Sequence, residues 1–311
     1  MAHGTALRGT ALGIVSILVW STTVPVARMA TEAFGVFRAS SLILLLGGLF
    51  LIVVTSIRNR STNWVRGMSF KHVIVCGPLF VTYMALLYTA VGFSRSRSEA
   101  IAAGLANYLW PTAILIFSVL ILNMRAKKGV LTLGAVTALA GVFVSSGASA
   151  GGVGRLARSL WPPSLSLCLG ILAGLVWGLY SVLAHKYPQE KPSGAVGLYL
   201  LAAGIVLAPI PGKQWLALRW DLMGGVAVLF MAIVSNSIAY WLWDTAVRDG
   251  NVPALGAFGN LIPVLSAVAG TLSLGVGFRW EIAVGATLVT VGAVTSQSAI
   301  SSASPSPDRS D

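Results

Sequence analysis

The segment LGIVSILVWSTTVPVA at residues 12–27 recurs as LGILAGLVWGLYSVLA at residues 169–184, and this repetition indicates how the chain is built. Seven of the sixteen aligned positions are identical, and the tryptophan in the middle is one of them. Two further pairs of similar segments follow in the same order: GLANYLWP with GAFGNLIP, and GAVTALAG with GATLVTVG (104–111 with 256–263, 134–141 with 285–292). The offsets of 157, 152 and 151 residues indicate a duplication of the whole chain.

The charged residues divide the chain into ten windows that contain no charge. A membrane-spanning helix needs about 20 mostly apolar residues, and the shortest window has 19. Outer-membrane strands are excluded because no segment alternates with period two over roughly ten residues. The sequence therefore predicts an all-α membrane protein with ten transmembrane helices, one in each window: 9–27, 39–57, 72–94, 100–124, 129–154, 159–185, 192–212, 222–243, 250–278 and 282–307.

The number of helices in each copy of the duplication determines how the copies are related. Five helices is an odd number, so the second copy must enter the bilayer in the opposite direction to the first. We expect two inverted five-helix repeats around a central cavity, at residues 1–158 and 159–300, and a disordered polar tail at residues 301–311. In a membrane chain, such a duplication indicates a transporter that exposes a midplane site to alternate sides.

The net charge of +12 raises the question of an anionic partner. The basic residues are spread over connecting loops, which favours contact with lipid headgroups in the bilayer and excludes nucleic acid as the expected partner. Loops and tails on the side of the termini hold 12 of the 21 Lys and Arg residues, and the other side holds 9. By the positive-inside rule we expect a multi-pass protein of the cell (inner) membrane with both termini cytoplasmic.

Three tryptophans lie well inside predicted helices, where the headgroup belt does not explain them. Trp20 and Trp177 occupy the same position of the duplication, and Trp110 ends the NYLW segment of the fourth window. Packing between helices is the alternative explanation for each one alone. Three such indoles beside polar groups favour the lining of a cavity.

Asparagine amides inside the windows are the second sign of a cavity. An amide in hydrocarbon is costly unless it is bonded, so each faces either a neighbouring helix or water; hydrogen bonds between helices are the alternative. Helical spacing places Asn107 and Asn236 on faces that also carry aromatic rings. The predicted substrate-binding residues are Trp20, Tyr83, Asn107, Tyr108, Trp110, Trp177, Tyr180, Asn236, Tyr240 and Asn260.

Four prolines lie inside predicted helices, where each removes a backbone hydrogen bond. Two of them occupy corresponding positions of the two copies, and paired helix interruptions indicate a binding or hinge region in transporters. A static kink is the alternative. The predicted hinge or helix-break residues are Pro25, Pro78, Pro111 and Pro263. The glycines at every fourth position over residues 170–178 predict close helix packing.

Several motifs are missing from the sequence. No Asp or Glu lies inside a window, and no GxxxxGK[ST] or HExxH motif occurs. We therefore expect no enzyme activity, no catalytic residue, no metal site and no cofactor. A neutral or zwitterionic small-molecule substrate, carried by uniport or exchange, fits a midplane without fixed charge.

YTAVGFSRSRSEAIAAGLANYLWP (88–111) and WDTAVRDGNVPALGAFGNLIPV (243–264) share an Ala-containing helix end before a small-residue-rich helix with a proline. With the ten-helix layout, residues 9–300 resemble the drug/metabolite transporter superfamily and its EamA-like domain. LILNMR and LGVGFRWE stand where many members carry a Gly-Glu pair. The segment NYLWP (107–111) is more similar to the YddG-type aromatic amino acid exporters.

The resemblance implies a basket of helices whose cavity is lined by the first, third, fourth, sixth, eighth and ninth spans. It implies export of aromatic amino acids and related metabolites by alternating access, which we expect of a monomer. A broader drug, metabolite or nucleobase exporter is the alternative. A phosphate-bearing substrate would need basic residues in the cavity, and no window contains Arg or Lys.

Overall fold

The computed structural model describes residues 2–59, 68–150, 164–187, 195–217, 221–249 and 258–301. These residues are almost entirely helical, and no strand occurs among them. The expected repeat boundary at residues 158 and 159 and the expected disordered tail beyond Ser301 lie outside them. The α-helices of this described part are α1 (Ala2–Ser21), α2 (Thr23–Phe34), α3 (Val36–Asn59), α4 (Phe70–Gly92), α5 (Arg97–Asn107), α6 (Trp110–Ile121), α7 (Lys128–Ala150), α8 (Leu165–Lys186), α9 (Ala195–Leu207), α10 (Leu222–Leu229), α11 (Ala239–Asp249), α12 (Ile262–Ser273) and α13 (Trp280–Ser301).

Eight helical stretches of the described residues are long and apolar enough to cross a membrane. Two of them join helices across a short break, α1 with α2 and α5 with α6, and a third joins α10 with α11 through a continuous π-helical segment. The windows at 192–212 and 250–278 hold α9 and α12, which have 13 and 12 residues and are shorter than the about 20 residues of a crossing helix. The chain is thus an all-helical, multi-pass membrane protein.

Proline positions coincide with helix breaks in three of the four predicted places. Pro25 lies in the first turn of α2, and Pro111 and Pro263 lie in the first turns of α6 and α12. The first turn tolerates proline because its N–H groups have no partner within the helix. Pro78 differs, because it lies inside the continuous helix α4.

Helices α7 and α13 pack through glycines that belong to one of the repeated segment pairs. A Cβ on Gly141 would lie 2.6 Å from the Gly285 carbonyl oxygen, and a Cβ on Gly285 would lie 2.6 Å from that of Gly141. Gly134 and Gly292 make the same reciprocal approach, at 2.7 and 2.6 Å. The order of these contacts shows that the two helices run antiparallel.

Other helices of the first half also pack against helices of the second half. Helix α1 packs on α11 and α4 packs on α8, while α3 packs on α9. A Cβ on Gly48 of α3 would lie 2.8 Å from the Gly197 carbonyl oxygen of α9. Small residues therefore hold the halves together at backbone distance.

The glycines of α8 contact the break between α5 and α6. A Cβ on Gly174 would lie 2.7 Å from the Asn107 carbonyl oxygen, and one on Gly178 would lie 2.6 Å from the Ala113 Cβ. The close packing predicted from the glycine spacing is confirmed. It fixes the backbone of α8 against the segment that carries Asn107.

The span formed by α10 and α11 contains a π-helical segment, Phe230–Ile238, between the two α-helices. In a π-helix each N–H bonds the carbonyl five residues earlier, and the Ala239 N–H bonds the Val234 carbonyl in this way. π-Helical segments are rare and occur frequently at functional sites.

Candidate functional site

A cavity of about 270 Å³ lies in the middle of the bundle. Its size is close to the lower end of the roughly 300–1,000 Å³ range of small-molecule pockets. The described residues that line it include no Asp, Glu, Lys or Arg, and no cluster of metal-ligating side chains occurs in the described part of the chain. The lining residues are Trp20, Thr23, Val24, Tyr83, Met84, Leu87, Tyr88, Asn107, Tyr108, Trp110, Ile114, Trp177, Ser181, Ser235, Asn236, Tyr240, Trp243 and Ile262.

Two aromatic pairs lie side by side in the cavity wall, with the Trp177 and Tyr240 ring centroids 6.4 Å apart. The rings of Trp20 and Tyr240 have centroids 5.1 Å apart, and those of Trp177 and Tyr83 have centroids 4.6 Å apart. Trp177 and Tyr240 lie 157 residues after Trp20 and Tyr83. Each pair thus joins one half of the chain to the other. The two pairs are equivalent under the duplication, because each combines the tryptophan of one half with the tyrosine of the other.

The indole of Trp20 is held in place by the π-helical segment. Its Nε1–H donates to the Ser235 carbonyl oxygen at 3.2 Å. The hydroxyls of Thr23 and Ser235 lie 3.0 Å apart and share one hydrogen bond. The second hydrogen of this hydroxyl pair is therefore free to donate to a bound molecule.

The cavity contains an amide oxygen without a partner. Asn107 ends α5, is 5% exposed, and its Oδ1 has no hydrogen-bond partner among the described residues. The second amide in the cavity is already engaged, because Asn236 Nδ2 donates to the Tyr88 hydroxyl at 3.0 Å. Buried polar atoms are normally bonded, so the Asn107 Oδ1 marks a position suited to a hydrogen-bond donor of a ligand.

Comparison with known proteins agrees with this architecture. The model of the EamA-like transporter family matches residues 7–147 and again residues 164–296. The chain belongs to the EamA-like transporter family. This family membership and the apolar helices indicate a membrane transporter.

Several relatives of this EamA-like chain carry an informative name. An aromatic amino acid exporter YddG of Salmonella typhimurium (strain 14028s / SGSC 2262) is 28% identical over 93% of this chain and 97% of the relative. The aromatic amino acid exporter YddG of Ancylobacter novellus is 28% identical over 83% and 86% of the two chains. A crystal structure that is 24% identical superposes with a TM-score of 0.59 over 94% and 97% of the two chains, which shows a shared fold.

Two residues of the predicted set lie away from the cavity of the EamA-like chain. Tyr180 stacks behind Trp177, with centroids 5.0 Å apart, and does not line the space. Asn260 Nδ2 donates to Gln297 Oε1 of α13 at 2.8 Å, which is the interhelical alternative. The other members of the predicted set line the cavity: Trp20, Tyr83, Asn107, Tyr108, Trp110, Trp177, Asn236 and Tyr240.

Other lining residues had weaker signals in the sequence. Trp243 stands at the end of its window, where the headgroup belt explains a tryptophan, yet its ring lies 5.3 Å from that of Trp20. Ser235 adjoins Asn236 and could have been found by asking which hydroxyls flank a buried amide. The partner of that amide, Tyr88, lies near the end of α4 and had no signal of its own.

An ion-pair cluster lies at the end of the bundle where α2 ends and α5 begins. Glu32 accepts from Arg28 Nε at 2.8 Å and from Arg97 Nη2 at 2.8 Å. Arg28 Nη1 also donates to the Ser94 carbonyl oxygen at 2.7 Å, and Arg97 Nη1 donates to the Leu274 carbonyl oxygen at 2.8 Å. The cluster therefore ties α2, α4 and α5 of the first half to the end of α12 in the second half.

Proposed function

We propose that this EamA-like transporter exports aromatic amino acids and related neutral or zwitterionic metabolites, as a uniporter or exchanger. The observation that carries the proposal is the composition of the cavity. Indole and phenol rings surround an uncharged space that contains one unpartnered amide oxygen. The names of the YddG relatives point to the same substrates.

The aromatic pairs supply contacts for the ring of the substrate. Trp20 with Tyr240 and Trp177 with Tyr83 offer ring faces and edges from both halves. Aromatic contacts contribute about 0.5–1.5 kcal/mol each beyond the burial of area. Binding of this strength holds a substrate ring without trapping it, as a transporter requires.

The polar atoms of the cavity match the two charged groups of an amino acid. Asn107 Oδ1 accepts a hydrogen bond from the ammonium group, since it has no other partner in the described residues. The free hydrogen of the Thr23 and Ser235 hydroxyl pair donates to the carboxylate. Because none of the described lining residues carries a charge, a molecule with a net charge would find no counter-charge among them.

The exchanged contacts between the halves support an inverted repeat and alternating access. Gly141 with Gly285 and Gly134 with Gly292 are reciprocal approaches of duplicated positions on antiparallel helices. A two-fold axis perpendicular to these helices, and hence in the plane of the membrane, relates such contacts. Two halves of this kind rock about the central cavity, with Pro25, Pro78, Pro111 and Pro263 as hinge or helix-break positions.

The ion-pair cluster of Glu32 is the gate at one end of this movement. Opening of that end separates Arg97 from the Leu274 carbonyl oxygen, because these atoms belong to different halves. The side chains of Glu32 and Arg97 are 31% and 49% exposed, and pairs at such sites contribute only about 0–1 kcal/mol. A gate of this strength opens reversibly.

The cellular setting follows from the same proposal. A chain of this family with more basic residues on the side of its termini lies in the inner membrane with both termini in the cytoplasm. Each chain encloses its own cavity, so we propose that a monomer carries the substrate.

A second candidate is a broader exporter of drugs, metabolites or nucleobases. The observation that favours it is that flat uncharged heterocycles also stack on indole and phenol rings, which make up much of the described cavity wall. Such a substrate needs no ammonium acceptor, so the role of Asn107 separates the two candidates.

Counterflow in proteoliposomes tests the proposal. Vesicles loaded with unlabelled phenylalanine, tyrosine or tryptophan should take up the labelled amino acid transiently, with saturation, and nucleobases should not compete. Asn107→Ala should abolish this uptake. Asn260→Ala is the matched control, because that amide lies outside the cavity, and it should retain uptake. Competition by nucleobases, with full activity of Asn107→Ala, supports the second candidate instead.

A further inference from the structure

Three consecutive residues of the π-helical segment bond to three different helices of the other half. Ser235 accepts from Trp20 of α1 through its carbonyl oxygen, and Asn236 donates to Tyr88 of α4. Ser237 donates to the Gly47 carbonyl oxygen of α3 at 3.0 Å. The segment is therefore bonded to three helices of the first half, in two cases through residues that line the cavity, Trp20 and Tyr88.

The hydroxyl of Ser237 also contacts a carbonyl oxygen whose position depends on the local helical register. It is fully buried and lies 2.8 Å from the Ala232 carbonyl oxygen, five residues earlier. Elsewhere in the described helices, Ser and Thr hydroxyls bond a carbonyl oxygen three or four residues earlier. Ser41, for example, donates to the Phe37 carbonyl oxygen at 2.6 Å. Ser237 thus contacts the carbonyl that the π register presents and an α register does not.

The register controls where the residues after the segment point. One residue corresponds to about 100° of rotation in an α-helix. If the π segment relaxed to an α-helix, α11 would turn by about this angle relative to α10. Tyr240 and Trp243, whose rings lie 5.1 and 5.3 Å from that of Trp20, would then leave the cavity wall.

We infer that Ser237 is a positioning residue for substrate recognition. The single hydrogen of its hydroxyl has two acceptors within reach, the Ala232 carbonyl oxygen at 2.8 Å and the Gly47 carbonyl oxygen at 3.0 Å. Donation to the nearer Ala232 oxygen holds the π register, and this register keeps the Asn236 amide and the Tyr240 ring at the cavity. Ser237 itself does not line the cavity. This inference rests on the proposed function for its kinetic consequence, whereas its structural consequence can be measured without any substrate.

The structural test uses the protein labelled with 5-fluorotryptophan in detergent, with the Trp20 and Trp243 fluorine signals assigned from Trp→Phe variants. Ser237→Ala should shift both signals, although residue 237 contacts neither ring. Ser41→Ala, which removes a buried hydroxyl with a bond inside its own helix, should leave them in place. Unchanged signals in Ser237→Ala overturn the inference, whether or not the protein carries aromatic amino acids.

The kinetic test measures counterflow of labelled tryptophan. Ser237→Ala should raise KM about fivefold, the effect of one lost hydrogen bond of about 1 kcal/mol, and leave the maximal rate within about twofold. In a double-mutant cycle with Asn236→Ala, the two effects should be non-additive because they act through the same amide.

Ser237→Cys replaces Ser237→Ala if the alanine variant is not monodisperse, since the thiol fills the site and donates more weakly. It should change the fluorine signals and KM in the same direction. Additive effects in the cycle, or a loss of maximal rate with unchanged KM, overturn the inference. If wild-type protein shows no tryptophan counterflow at all, the proposed function fails and the fluorine measurement alone decides the role of Ser237.

Discussion

The backbone of Gly174 touches the backbone of Asn107: a Cβ on the glycine would lie 2.7 Å from the Asn107 carbonyl oxygen. The contact joins α8 of the second half to the break between α5 and α6 of the first. The Asn107 side chain supplies the unpartnered amide oxygen of the cavity. The close backbone contact that Gly174 allows therefore fixes the position of that oxygen.

Gly174→Ala should therefore weaken substrate binding although residue 174 does not line the cavity. The added methyl must displace a backbone oxygen, and Asn107 moves with it. We expect KM for tryptophan to rise on the order of tenfold, since hydrogen bonds to charged groups contribute about 1.5–3 kcal/mol. Gly225→Ala is the control, because its Cβ meets nothing within 4 Å; equal effects of the two variants in a counterflow assay would contradict this prediction.

Asn107→Asp should change the charge preference of the cavity. It places a carboxylate at the proposed ammonium position, where the lining offers no cation to balance it. We expect tryptamine, which keeps the ammonium and lacks the carboxylate, to compete at least tenfold better against tryptophan uptake, since a close charge pair near ε of 20 reaches several kcal/mol. Asn260→Asp should not change the competition, and an unchanged tryptamine preference in Asn107→Asp would show that the ammonium binds elsewhere.

Glu32→Gln should open the end of the bundle that the ion-pair cluster closes. The change removes the charge that holds Arg28 and Arg97, so the open state gains population. The measurement is alkylation of Leu87→Cys by a membrane-impermeant maleimide, in a background with Cys76→Ser and Cys168→Ser.

We expect the alkylation rate from that side to rise about fivefold, which corresponds to about 1 kcal/mol. Glu281→Gln is the control at the same end, since Glu281 belongs to neither ion pair. A rate for Glu32→Gln that equals the wild-type rate argues against the gate.

Gly285→Val should destabilise the protein through the contact between α7 and α13. Its Cβ would lie 2.6 Å from the Gly141 carbonyl oxygen, and antiparallel helices at this distance cannot accept a branched side chain. We expect the free energy of unfolding to fall by about 1–3 kcal/mol, the usual effect of overpacking. Gly129→Val has open space around its Cβ and should change the melting temperature much less; thermal unfolding of the two purified variants compares them.

Much of the membrane architecture could be predicted from where charges are absent. Lipid excludes charge, so most of each helical span lies inside a charge-free window, although the first span continues past its window to Phe34 and includes Arg28 and Glu32. The tryptophans that anchoring does not explain were expected to face the interior. Trp20, Trp110 and Trp177 do line the cavity. Asn260 does not, because Gln297 satisfies its amide, and no spacing rule distinguishes an amide that faces water from one that faces a partner.

Hydropathy and the internal repeats already predict a helical chain that crosses the membrane several times and contains two copies of one unit. Which polar atoms lack partners, and which residues hold them in place, is seen in the packed helices alone. The reason is physical: hydropathy and duplication are properties of residues along the chain, whereas the free oxygen of Asn107, the close approach of Gly174 and the π register at Ser237 arise from contacts between helices far apart in sequence. Those contacts, rather than composition, give the cavity its shape.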